Sequence, residues 1–424
     1  MGLMVIAGFF VLFMLGFPIA LAIALPSVCY VFYNHIPIDL LAQRMHYSLD
    51  SYPLLAVPVF IFVGNLMNST GITNRIFKFA DTLVGRLPGG LAQVNIFASL
   101  IFSGMSGAAL ADVGGLGQIE INAMKQKGFE GSFAAAVTAG SATVGPIFPP
   151  SIPLVIYGAV AGVSIVKLLI AGIVPAMVAV AAMMILTAIL SIIRKYPRAE
   201  RWPTLYELFL DFYPALPALL APILLIAGML TGVFTPTEAA SGTAFYVIII
   251  SSFVYRDLTF KRLINSAFET VKASTGILLI IAAASLFGWI LTVELIPQMF
   301  AKSFLSFSKN PYVLLAIVNV ILVVVGMFLD STTATILLVP IIAKPLMLVG
   351  VDPVHLGIVI VFNLMIGLLT PPMGLSLFMI SEIADVPISG VLKSVLPYFI
   401  TLVLTLMLLT FYPPLSLWLP GMLR

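Results

Sequence analysis

Two stretches of this chain put small and hydroxyl-bearing residues where an apolar run would otherwise continue. The first is Ser103-Gly-Met-Ser-Gly-Ala-Ala-Leu-Ala-Asp112 and the second is Phe328-Leu-Asp330-Ser-Thr-Thr-Ala. Each is followed, one apolar segment later, by a proline-broken run: Thr143-Val-Gly-Pro-Ile-Phe-Pro-Pro150 and Gly367-Leu-Leu-Thr-Pro-Pro372. Tandem prolines remove backbone donors and clash with the preceding turn, which frees carbonyls from helical pairing. Freed carbonyls and hydroxyls facing a half-helix end suit a hard monovalent cation such as Na⁺. Candidate ligands in the first half are Ser103, Gly104, Ser106 and Gly107, with Thr143 and Gly145 across from them. In the second half they are Asp330, Ser331, Thr332 and Thr333, with Gly367 and Thr370. Half-helix N-termini aim partial positive charge at the same place, which favours a carboxylate substrate. Candidate substrate-site residues are Asp112, Ser141, Pro150, Ser151, Asn363 and Pro372. An ionised Asp at the membrane centre costs roughly 2.5–3.5 kcal/mol on insertion scales, so Asp112 and Asp330 each need a cation, a donor or a water path. The competing explanation is that Gly, Ser and Asn here only serve close helix packing.

The rest of the chain must hold these segments inside a membrane. Of 424 residues 61% are hydrophobic and 9% charged, and the mean hydropathy is +1.17, which excludes water-soluble classes. Long apolar runs without dyad alternation indicate helices rather than a barrel. The formal charge of +3 with no dense basic run argues against nucleic acid as a partner. Cys29 is the only cysteine, so an internal disulfide and a Cys/His metal cluster are excluded. No phosphate-binding G-x-x-x-x-G-K-[ST] run occurs, which excludes an ATP-driven pump of that type.

Membrane segments are predicted at about 3–33, 52–68, 166–193, 213–234, 237–255, 273–295 and 391–412. The first carries Pro18, which predicts a kink or break, and reads as a retained helix because no basic residue precedes Arg44. Amphipathic connectors are expected at 74–87 and 256–272, and Arg194–Asp211 reads as a linker between halves. Its basic residues place it in the cytoplasm, together with Lys125, Lys127 and Arg256–Arg262. The count puts the N-terminus in the cytoplasm and the C-terminus outside. Residues 89–127 and 311–350 have arms of about 15–18 residues, short for a crossing, and read as re-entrant hairpins. Broken helices follow at about 130–165 and 353–381.

A shift of 222 residues superposes the halves. Gly104 falls on Gly326, Gly145 on Gly367, Pro149-Pro150 on Pro371-Pro372 and Pro175 on Pro397. The hairpins are entered from opposite sides in the crossing count. The expected fold is therefore an all-α polytopic membrane protein with two inverted repeats, 1–193 and 212–424, and such repeats point to a secondary transporter. Two other classes match parts of the sequence. Gly104-Met105-Ser106-Gly107 matches the GxSG motif of an intramembrane serine protease, but His35 and His46 lie in the outer connector and only His355 is left as a base. A channel fits the composition, yet deep inverted hairpins favour alternating access. No enzyme activity is expected. Thr235-Pro-Thr-Glu238 reads as a turn with Glu238 stabilising a helix N-terminus. Trp202, Trp289 and Trp418 read as interfacial anchors.

Ser103-Gly-x-Ser-Gly-Ala-x-x-Ala-Asp112, Phe234-Thr-Pro-Thr-Glu-Ala-Ala240 and Gly367-Leu-Leu-Thr-Pro-Pro-x-Gly374 together resemble the large membrane subunit of tripartite ATP-independent periplasmic (TRAP) transporters. The resemblance runs over essentially the whole chain. It implies an elevator-type secondary transporter of the bacterial inner membrane, coupled to Na⁺ import at about two sites, with the hairpins and broken helices as the mobile domain. It implies that the other long helices, including 213–255, contribute to a static scaffold. It also implies two partners, a small four-helix membrane subunit and a periplasmic substrate-binding protein, and an organic acid as substrate. Some members fuse the two membrane subunits, whereas this sequence starts at the large one. Apart from Lys344, no Arg or Lys stands near the motifs to take a second carboxylate. That favours a monocarboxylate, and sialic acid is expected ahead of C4-dicarboxylates.

Overall fold

The computed structural model describes residues 1–107, 109–198, 201–371 and 374–422, with the backbone alone at 103–106 and 111. Among the described residues there is no strand. The chain opens with α1 (Gly2–Met14), α2 (Ile19–Tyr33), α3 (Ile38–Leu49), α4 (Ala56–Ser69) and α5 (Ile72–Val84). The first hairpin is α6 (Leu91–Ser106) with α7 (Ala109–Gly114) and α8 (Leu116–Gln126). Its broken helix is α9 (Gly131–Val144) and α10 (Ile152–Ala161), followed by α11 (Ile165–Ala171) and α12 (Ile173–Arg194). Beyond the linker come α13 (Leu205–Leu230), α14 (Pro236–Ile249), α15 (Phe260–Val293) and α16 (Ile296–Phe307). The second hairpin is α17 (Pro311–Gly326) with α18 (Ser331–Leu348), and its broken helix is α19 (Pro353–Gly367) with α20 (Leu375–Ala384). The chain closes with α21 (Ile388–Phe411) and α22 (Pro414–Gly421).

Among the described residues, eight helices are long and apolar enough to cross a membrane. The most buried elements are the broken ones. Every residue of α9 from Phe133 to Val144, and of α19 from Val354 to Gly367, is buried. A helix that is apolar all round belongs in the middle of a large protein, and neither of these has a polar stripe to show water. Their neighbours are α21 and α6 around α9, and α17, α18 and α21 around α19. An outer layer forms where α4, α14, α2 and α3 pack on or beside α15, with α13 against α5 and α14.

Three expectations change in the structure. Residues 3–33 break at Pro18, one of the two outcomes that proline allows, but the two pieces do not run on as one span. The chain doubles back between α1 and α2, so that a Cβ on Gly8 would meet Pro26 at 3.2 Å. Glu294 accepts from the Gly2 amide at 2.9 Å and the Tyr30 hydroxyl at 2.7 Å. Met1 therefore lies at the same end as residue 34, and the expected crossing by this segment does not occur. The reason is Leu15–Pro18, where Gly16 takes a positive φ of 83° that continues neither helix. Secondly, the connector 256–272 and the span 273–295 merge in the single 34-residue helix α15. Thirdly, the connector between α2 and α4 is itself an amphipathic helix, α3, with no buried residue.

The linker end of the molecule is tied by charge. Arg75 meets Asp257 at 2.9 Å, Lys78 meets Asp211 at 2.8 Å, and Arg194 meets Glu130 at 3.1 Å. These pairs are partly exposed, and each contributes only about 0–1 kcal/mol. The α14 start carries a reciprocal capping box: Thr235 accepts from the Glu238 amide, and Glu238 accepts from the Thr235 amide at 2.8 Å. This is the stabilised helix start expected from Thr235-Pro-Thr-Glu238.

Candidate functional site

The two hairpin tips and the two helix breaks converge on one cavity of about 240 Å³. Gly107 and Ala109 line it from the first tip, Asp330, Ser331 and Thr332 from the second. Ile152 and Pro153 come from just beyond the first break and Leu368 from the second. The opposite wall belongs to α4 and α15, through Asn65, Asn68, Ala273 and Ile277 among others.

Each tip is joined to its own break by a main-chain hydrogen bond. The Ile152 amide donates to the Gly107 carbonyl at 3.4 Å, and the Gly374 amide donates to the Met327 carbonyl at 3.3 Å. Gly107 and Gly374 both have positive φ, 64° and 39°, which a side chain would strain. The second hairpin also presses on its broken helix without side chains between them, since a Cβ on Gly326 would lie 3.0 Å from the Gly367 Cα.

Asp330 is the N-cap of α18. One carboxylate oxygen accepts from the Thr332 and Thr333 amides at 3.0 and 3.2 Å, and the other accepts the Thr333 hydroxyl. Donors at a helix N-terminus supply the hydrogen-bond partners a buried carboxyl requires. The same tip faces the cavity, so a cation or a carboxylate placed there meets hydroxyls, amides and one capped carboxylate. At the first break Ser151 caps α10, accepting from the Leu154 amide at 3.2 Å and donating to the Pro146 carbonyl. The Thr143 hydroxyl donates to the Gly140 carbonyl at 2.6 Å, and the Thr370 hydroxyl donates to the Ile366 carbonyl at 3.1 Å. Thr143, Gly145, Thr333 and Gly367 are all buried around the convergence without lining the cavity.

The remaining candidates separate. Ser141 accepts from Ser99 at 3.0 Å and donates to Asn95 at 2.9 Å, bracing the first hairpin arm against α9. Asn363 donates to the carbonyl and the side chain of Asn319, at 3.0 and 2.9 Å, and braces the first arm of the second hairpin against α19. Neither side chain lines the cavity. Asp112 is buried on α7 and also stands off it. The side chains of Ser103 and Ser106, and all of Pro372, lie outside the described residues, only the backbone of Gly104 is described, and Pro150 is buried at the break. The Nδ1 of His355 shares a hydrogen bond with the Ser416 hydroxyl at 2.7 Å.

Sequence reasoning missed two features. Glu120 is buried on α8 beside Ser99 and Asp112; its apolar and polar neighbours in sequence alternate like those of any amphipathic helix and give no warning. Asn65 and Asn68 on α4 also line a second cavity of about 420 Å³ that runs past Asn74, Asn265 and Glu269 toward the linker end. The central cavity and this one therefore share a wall. No motif marks those asparagines, because their role depends on which helix faces the tips.

Residues 6–415 match the family described as "Tripartite ATP-independent periplasmic transporter, DctM component". The chain is 41% identical to the sialic acid TRAP transporter large permease protein SiaM of Vibrio cholerae, over 98% of this chain and 97% of that one. It is also 41% identical to the sialic acid TRAP transporter permease protein SiaT of Haemophilus influenzae, over 90% of this chain and 62% of that longer one. In fold it is similar to the YdaH transporter of Alcanivorax borkumensis, with a TM-score of 0.60, 14% identity, and coverage of 92% of this chain and 88% of that one. With its helix breaks, its hairpins and a family match across nearly its whole length, the chain belongs to the TRAP transporters, as a large membrane permease subunit.

Proposed function

We propose that this chain carries an organic acid anion inward across the bacterial inner membrane, driven by Na⁺, after a periplasmic binding protein delivers it. Sialic acid is the first substrate to test, because the relatives SiaM and SiaT carry that substrate in their names at 41% identity. A C4-dicarboxylate or another carboxylate is the alternative. The observation that supports this reading most directly is the convergence of both tips and both breaks on one cavity, each tip bonded to its own break.

In this mechanism one Na⁺ is held at each tip-and-break pair. Ser103, Gly104, Ser106 and Gly107 with Thr143 and Gly145 serve the first, and Asp330–Thr333 with Gly367 and Thr370 serve the second. Bound cations bring the tips together and offset the charge of Asp330, so the substrate carboxylate meets amides and hydroxyls rather than a bare negative charge. The two halves act as inverted repeats. Consistent with that, the α9 end of the first broken helix is tied to the linker by Arg194–Glu130, while the α19 start receives the Tyr157 hydroxyl at 2.8 Å from the far end of α10. Hairpins and broken helices then travel as one body along the layer of α4 and α15. A small four-helix membrane subunit enlarges that layer.

The test is uptake of labelled sialic acid into proteoliposomes holding this chain with its small subunit. An inward Na⁺ gradient and the cognate binding protein are supplied together and then omitted singly. Uptake that requires both is the expected result. Uptake indifferent to both would overturn the mechanism in favour of a channel, and uptake of a dicarboxylate alone would change only the substrate.

A further inference from the structure

Three cavities lie in sequence along α15. The one toward the linker end touches Asn265, Ser266 and Glu269, the central one Ala273 and Ile277, and the third Ile281 through Val293. Contacts at Ser266, Glu269, Ala273, Ile277, Ile281, Ala284, Gly288 and Thr292 recur every three or four residues, so one stripe of one helix faces all three. The third cavity, of about 740 Å³, lies at the end opposite the linker, between α3 and α15 on one side and α10 and α18 on the other.

Its lining differs in charge from that of the linker-side cavity. Arg44 of α3 is the one charged side chain among its described lining residues, and its guanidinium lies 5.6 Å from the centre of the Trp289 ring. The Ser285 hydroxyl donates to the Arg44 carbonyl at 3.3 Å, which fixes the backbone that carries it. A guanidinium over an indole face keeps its edge N–H groups free, and that planar edge matches a carboxylate bidentately. Tyr47, Ser48, Ser51 and Thr292 add hydroxyls to the same cavity. On the linker side the corresponding wall carries carboxamides and the Glu269 carboxylate and, among its described lining residues, no cation.

We propose that Arg44, stacked on Trp289, is a carboxylate-capture site at the mouth opposite the linker, taking the incoming organic acid before the hairpin tips receive it. The inference rests on the transport reading given above and adds a residue to it. The wall of α3, α4 and α15 is then polarised along the path: a cation holds the anion where it arrives, and neutral amides with Glu269 let it go where it leaves. The substrate class is a monocarboxylate bearing hydroxyl groups.

Initial rates of labelled sialic acid uptake are measured in proteoliposomes against the concentration of loaded binding protein, at saturating Na⁺. Arg44→Gln should raise the half-saturating concentration about tenfold, the worth of one charge-assisted hydrogen bond, with the maximal rate held within about twofold. Arg44→Lys should recover part of the loss. An Arg44→Gln complex with wild-type half-saturation overturns the proposal. So does a loss of maximal rate alone, or a matching loss in the docking of substrate-free binding protein, which would make Arg44 a docking contact. Absence of uptake by the wild type would instead count against the transport reading. Arg44 is then judged by the emission of Trp289, taken as the difference between the complex and its Trp289→Phe variant. A change on adding sialic acid that disappears in Arg44→Gln supports the site, and no change in the unmutated complex overturns it.

Discussion

Gly326 and Gly367 cross backbone against backbone: a Cβ on Gly367 would stand 2.5 Å from the Gly326 Cα and 2.6 Å from its carbonyl carbon. The contact joins the first arm of the second hairpin to α19 at the residue where that helix breaks. The three nearest atoms are all main chain of Gly326, so no side chain can swing aside to relieve them. Gly367→Ala should therefore cost about 1–3 kcal/mol through overpacking and lower uptake at least about tenfold, because the tip and the break move apart. Gly242→Ala, with nothing within 4 Å, is the control and should leave both unchanged or slightly improved. Thermal unfolding of the purified complex and uptake by the same preparation check this. A Gly367→Ala protein as stable and active as the control would show that the crossing is dispensable.

Asp330 holds the start of α18 while facing the cavity, so its loss should be felt in ion dependence as well as stability. Asp330→Ala is expected to shift half-saturating Na⁺ upward about tenfold, on the scale of a lost charged ligand, with membrane insertion intact. Thr143→Ala should weaken Na⁺ dependence in the same direction. Uptake titrated against Na⁺ is the measurement, and unchanged curves in both variants would refute the assignment of ligands.

Accessibility follows from the wall shared by the central and linker-side cavities. A cysteine at Asn68, in a background where Cys29 is replaced, should react with a charged maleimide added on the face that carries the linker. A cysteine at Ser285 should react from the opposite face. Labelling of both from one face would contradict the arrangement of the cavities along α15.

The capping box at the start of α14 predicts a modest and local effect. Thr235→Ala should lower stability by about 1 kcal/mol with uptake retained, since the box lies outside the cavity. Thr235→Ser should restore it. A severe transport defect in Thr235→Ala with normal stability would assign the turn a function beyond capping.

The backbone breaks and the helix cap of the candidate site were legible in the sequence because their physics is punctuated. Proline pairs at 149–150 and 371–372 cannot sit inside a helix, and the structure places breaks beside both. Asp330 ahead of Ser-Thr-Thr is an N-cap in any setting. Other features left no such mark. The doubling back of α1 on α2 lies inside an apolar run, where Gly16 and Pro18 are equally consistent with a kink. Ser141 and Asn363 were level candidates for substrate or packing, and only the partners Asn95, Ser99 and Asn319 show where their hydrogen bonds go. Arg44 sits in a connector that the hydropathy pattern treats as a plain loop, and its position over Trp289 is a long-range contact that periodicity does not encode.

Helix α15, 34 residues without an internal break, is about 51 Å long, against a hydrocarbon thickness of about 30 Å. It has to lean or to protrude, and its first turns carry Lys261 and Arg262 at the linker end. A rod of that length acts as a lever. A lean of about 5° would displace one end by about 4 Å relative to the other, close to the rise of one helical turn. Bilayer thickness thus becomes a mechanical input: in thinner membranes α15 would tilt further, and the Arg44 and Glu269 ends of the path would shift in opposite senses. Transport rate should then vary with acyl-chain length even where the composition of the head groups is held constant.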